Sequence, residues 1–138
     1  MSTDIQERCD TIEECYEFML AYAAQGLPSD AASASGGEIR EYLRRVVAAA
    51  NGLAQSLSVA VKQDNLEPAD RYRAFFQVVA RDASDSLAAI QLVLAQPIIS
   101  SQLIDNLNAS IHLRALLTDL FLVSEILKAQ PAPARPVG

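Results

Sequence analysis

With 138 residues, 51% of them hydrophobic, and only five glycines and six prolines, the chain suits one folded domain that buries about two-thirds of its unfolded surface. It is neither a disordered segment nor a turn-rich all-β protein. A net charge of −6 repels phosphate backbones and argues against a nucleic-acid partner, and no run reaches the roughly eighteen apolar residues of a membrane span.

The acidic opening, MSTDIQERCD, lacks the basic flank and apolar block of a signal peptide, so a cytoplasmic location is expected, with Cys9 and Cys15 reduced. A first helix is predicted over residues 3–24. At about 100° per residue, Ile5, Cys9, Ile12, Tyr16, Met19 and Ala23 share one face, and Glu7, Asp10, Glu14 and Glu17 lie opposite. Cys15, Phe18 and Tyr22 fall off the main apolar face. The following LPSDAASASGG reads as a flexible loop; its eleven residues can stretch roughly 35 Å, so the first helix can pack either way up.

A second helix begins near Gly37 or Glu38 and runs past Val61, with Ile39, Leu43, Val46, Ala50, Leu53, Leu57 and Val61 as its core face. Arg40, Arg44 and Arg45 are expected to face the acidic first helix. Pro68 suits the first turn of a third helix, which buries Tyr72, Phe76, Val79, Ala83, Leu87, Ile90 and Leu94 and ends at Gln96 and Pro97. The fourth starts at Ile99 or Ser100 and continues to about Ala129, before a Pro-rich extended tail. The fold class is therefore all-α: a single-domain four-helix bundle over residues 1–130, with the tail at 131–138.

Two surfaces depart from an ordinary solvated helix. The stretch VVAAANGLAQSLSVAV, residues 46–61, has no charge, and Gly52 in a helix interior costs about 1 kcal/mol relative to alanine. On the fourth helix Leu103, Leu107, Leu117 and Phe121 form one stripe and Ile104, Ile111 and Leu122 a second. Leu113, Leu116, Leu120 and Leu127 form a third, which leaves Asp105, Asn108, His112 and Asp119 as the polar strip. A helix apolar on three sides needs burial on three sides. The expected answer is a homodimer whose interface includes Asn51, Gly52, Gln55, Leu113, Leu116, Leu120 and Leu127.

Catalytic constellations are sparse. A di-iron bundle needs Glu-x-x-His pairs, and position 109, three residues before the single histidine, is alanine. Glu13 and Glu17 read as a solvated acidic face. Cys9 reads as an inert small hydrophobe, and Cys15, nearer the edge, as open to oxidation or to bridging subunits. No metal or cofactor is expected. The segment IHLRALLTDL resembles a histidine phosphotransfer helix in exposing one mid-helix histidine, His112, within an acidic helical domain. That family's pattern places a cation three residues after the histidine and then a small residue; here Arg114 follows by two, and Ala115 and Leu116 come third and fourth.

The function expected from these features is that of a non-enzymatic interaction protein, an adaptor, assembly factor or regulatory subunit that binds itself or a protein partner. Phosphotransfer through His112 is the alternative. A weaker one is a carrier holding a small apolar ligand among Tyr16, Met19, Tyr72, Phe75, Phe76 and Phe121.

Overall fold

A computed structural model describes residues 3–31 and 33–129. Among them the chain is all-helical, without strands: α1 (Thr3–Ala24), α2 (Ala34–Ala50), α3 (Leu53–Gln63), α4 (Ala69–Leu94), α5 (Ser101–Ala109) and α6 (Ile111–Lys128). The tail expected over 131–138 lies outside the described residues. The first and third helices expected from the sequence correspond to α1 and α4, while the second and fourth are each broken in two.

α1 packs mainly against α2 and α5, and α4 mainly against α3 and α6. Flanked on two sides, α1 buries a wider face than its strongest stripe suggests. Cys15 and Tyr22, expected off that face, are as fully buried as Cys9 and Met19. The Tyr22 hydroxyl donates to the Ile99 carbonyl at 2.6 Å, which satisfies the only polar atom of a large buried ring. Phe18 is half-buried and stacks on Tyr42 at 3.9 Å between ring centroids.

The loop after α1 is pinned rather than free. Leu27 donates its N–H to Ser101 Oγ at 2.8 Å and accepts from the Ser101 N–H at 2.9 Å. Asp30 pairs with Arg40 Nε at 2.7 Å and accepts the Ile99 N–H at 2.9 Å, and the N–H bond is the leading cause of a carboxyl held below its usual range. The last four residues of the stretch, from Ala34, are already helical, and a Cβ on Gly36 would collide with the Asp30 backbone, so only glycine permits this close approach. Arg40 continues to the Leu94 and Gln96 carbonyls at 3.0 and 2.8 Å, closing the C-terminal end of α4. Of the three arginines expected to meet α1, only Arg45 does, at 3.2 Å from Glu14; Arg44 pairs with Glu41 of its own helix.

The break at Asn51 and Gly52 has its cause forty residues away. Arg8 of α1 donates through Nη1 to the Ala48 and Ala49 carbonyls at 3.3 and 3.0 Å, the groups left without partners where α2 stops. A Cβ on Gly52 would sit 2.7 Å from the guanidinium, so the glycine leaves the space that Arg8 fills. Asp4 accepts from Arg8 Nε at 3.2 Å and from the Ser56 hydroxyl, which ties α3 into the same cluster. The charged pair from α1 covers Gly52 and the Ala48 and Ala49 carbonyls, while Ala48, Asn51, Ala54 and Gln55 stay exposed.

Ser110 makes the second break. Its extended backbone (φ −63°, ψ 140°) ends α5, and its hydroxyl accepts the Leu113 N–H at 3.4 Å to start α6. This resolves most of the three-sided fourth helix. α5 turns Ile104 and Leu107 inward beside α1, and α6 buries Leu113, Leu116, Leu117, Leu120, Val123 and Leu127. Two residues of the expected polar strip are also inside. Asn108 donates to the Met19 carbonyl at 3.1 Å, and Asp119 is buried.

Candidate functional site

Where the expected interface residues fall divides them sharply. Leu113, Leu116, Leu120 and Leu127 are buried in the chain's own core, so they offer no surface to a partner. Asn51 and Gln55 are exposed and Gly52 is half-covered by Arg8, so that corner presents polar rather than apolar surface. Asn51 lines a shallow groove with Ala54, Ala80, Ser84 and Gln91.

The apolar surface that does reach solvent on α6 belongs to other residues. Ile111 is 75% exposed, Phe121 53% and Leu122 48%, with Ile126 also exposed. On a 3.6-residue period Ile111, Leu122 and Ile126 lie opposite the buried leucines, together with Ala115 and Thr118, while Phe121 lies about a quarter turn from them. Arg114 and Glu125 lie between Phe121 and the other three around the helix, and neither forms an ion pair with a described residue. Phe121 and Leu122 share apolar stripes with core residues in the sequence, and only the break at Ser110 separates them, because it turns α6 relative to α5.

Beside this face α4 and α6 leave an apolar cleft of about 190 Å³, lined by Tyr72, Phe75, Phe76, Leu122 and Ile126, with Arg71 at its rim. Three of the six residues expected around an apolar ligand therefore meet in one place. Met19 is buried away from the cleft walls, while Tyr16 is half-buried and Phe121 exposed outside them.

His112 is exposed in the first turn of α6, not mid-helix, because the helix starts anew after Ser110. Its carbonyl accepts the Ser86 hydroxyl at 2.8 Å, a link from α4 to α6. Further along that contact buried Asp119 neighbours Asp82 of α4, and its Oδ2 has no hydrogen-bond partner among the described residues. Burial, reinforced by the neighbouring Asp82 carboxyl, raises Asp119 to about 7, so the pair holds a proton below about pH 7 and loses it above. Sequence reasoning placed Asp119 on the surface; its distance of thirty-seven positions from Asp82 gave no local sign of the pairing.

Both cysteines are free thiols, and burial pushes both above the usual thiol range, which disfavours the reactive thiolate. The edge position expected for Cys15 is therefore replaced by full burial. Glu13 is half-buried and raised mainly by desolvation, and Glu17 is exposed. Among the described residues no three His, Cys, Asp or Glu side chains come together as a metal-binding group, and no helix is long and apolar enough to cross a membrane. No protein-family model matches the chain, and neither the curated proteins nor the solved structures contain a match to it.

Proposed function

We propose that the protein works by binding, without chemistry of its own, and that its first partner is a second copy of itself engaged through the outer face of α6. In this reading the helices act as four arms of one bundle, α1, α2 with α3, α4, and α5 with α6, and the dimer serves as an adaptor or regulatory subunit. The observation that carries it is the set Ile111, Phe121, Leu122 and Ile126, exposed on one helix beside an apolar cleft. Single exposed apolar side chains are ordinary on any protein; four large ones on the exposed half of one helix support a contact surface. Two buried free thiols suit a reducing, cytoplasmic setting.

Sedimentation equilibrium at micromolar concentrations tests the reading. The expected result is a mass of two chains for the wild type and of one chain for Phe121→Asp, with unchanged helical circular dichroism. A wild type that stays at one chain throughout rejects it.

A second reading has one observation behind it, the aromatic walls of the 190 Å³ cleft, which is large enough for a benzene-sized molecule and below the size of most ligand sites. Titration with benzene should then shift Tyr72 and Phe75 ring resonances saturably. A linear drift without saturation rejects it.

A further inference from the structure

The outer face of α6 also specifies how two copies would meet, an inference that rests on the homodimer reading above. We infer that α6 pairs with α6 of a second copy in antiparallel fashion about a twofold axis level with residues 119 and 120, placing Arg114 of each chain against the partner's Glu125. Ile111, Arg114, Thr118, Phe121 and Glu125 follow one another at spacings of three, four, three and four, the seam pattern of two helices packed side by side, and all five are exposed.

The charges on that seam decide the direction. Arg114 and Glu125 lie on opposite sides of the 119–120 level, each five and a half positions from it, or about 8 Å along the axis. A parallel pair would set Arg114 beside the partner's Arg114 and Glu125 beside the partner's Glu125. An antiparallel pair sets each against its opposite, twice over by symmetry, and opposes the two helix dipoles. Neither side chain has an ion-pair partner among the described residues of its own chain, so neither need break one to make this contact.

The same register brings Phe121 level with the partner's Thr118, a small side chain that leaves room for the ring. It carries the partner's Ile111, the most exposed large apolar side chain, to the end of α6 where Leu122 and Ile126 border the cleft. The largest exposed apolar groups of the helix are thus covered by one symmetric contact.

Charge reversal tests the register. Arg114→Glu and Glu125→Arg, measured singly by sedimentation equilibrium, should each weaken dimerisation about tenfold, because each creates two like-charge contacts across the axis. The double variant carries the pair in reverse and should return to within about threefold of the wild type. Both residues are exposed, and unchanged thermal unfolding in dilute solution will show that the fold is intact. A dimer whose dissociation constant is indifferent to both reversals, or weakened further in the double variant, overturns the antiparallel register and leaves the homodimer reading standing. A wild type that is monomeric at every concentration overturns both.

Discussion

The corner between α2 and α3 and the outer face of α6 both depart from an ordinary charged helix surface, yet each is completed differently. At the corner, neutrality answers a neighbour within the chain, since Gly52 clears a space, Arg8 fills it, and the carbonyls of Ala48 and Ala49 gain a cationic donor. On α6 Ile111 stays 75% exposed, and Phe121 and Leu122 about half exposed. Absence of charge in a helix is thus weak evidence for an interface when a long cationic side chain can reach the spot. Exposed bulk on the face opposite the core is stronger evidence, because burial within the chain has already been used to the full on the other side of that helix.

The contrast is largest between adjacent residues of α6. Leu120 is fully buried and Phe121 is 53% exposed. Leu120→Ala should destabilise the single chain by about 3 kcal/mol through lost transfer energy and the cavity left behind. Phe121→Ala should change unfolding in dilute solution by no more than about 0.5 kcal/mol while weakening self-association about thirtyfold, the size of a central contact residue. Denaturant unfolding and sedimentation separate the two effects.

At the corner, Arg8→Met should cost about 1–2 kcal/mol, the worth of hydrogen bonds from a charged donor to otherwise unpaired carbonyls. Gly52→Ala should cost less, since the added Cβ meets only the movable end of the Arg8 side chain and a φ of −118° imposes no backbone penalty on alanine. A double-mutant cycle sharpens this: once Arg8 is gone, Gly52→Ala should cost much less than it does in the wild type.

The sequence made the all-α class legible, together with the limits of α1 and α4, because long unbroken periodic runs identify helices by themselves. The two breaks were harder for different reasons. At Asn51 and Gly52 the apolar period runs straight through, and the capping group comes from Arg8 in another helix. Ser110, by contrast, is a readable cap followed by an apolar run, masked because Ile111 continues the stripe of Ile104, and Leu117 and Phe121 that of Leu103 and Leu107. The site followed the same logic. Which leucines of the expected fourth helix belong to the core depends on a turn in its axis that periodicity alone does not record.

The buried carboxyl pair gives a pH-dependent effect. Asp119 is raised from 3.8 to about 7, so its contribution to stability is fully present below its unfolded pKa and is lost as pH rises through about 7. Asp119→Asn keeps a hydrogen-bonding neutral group facing Asp82 and should abolish that part of the decline. Between about pH 5 and pH 8 the wild type should therefore lose stability relative to the variant, as read by urea midpoints at each pH. A constant difference across that range would contradict the raised value.

The smallest effects are expected away from α6's outer face. Asn51→Lys, Gln55→Glu and His112→Gln each alter an exposed side chain and should leave the dimerisation free energy within about 0.5 kcal/mol of the wild type.

A dilution series followed by methyl NMR separates the two regions most directly. The methyl resonances of Ile111, Leu122 and Ile126 should shift together with concentration, along one binding curve, while those of Val59 and Leu53 beside the α2–α3 corner stay fixed. Shifts confined to Val59 and Leu53, or spectra independent of concentration at every methyl, would contradict the assignment of self-association to α6.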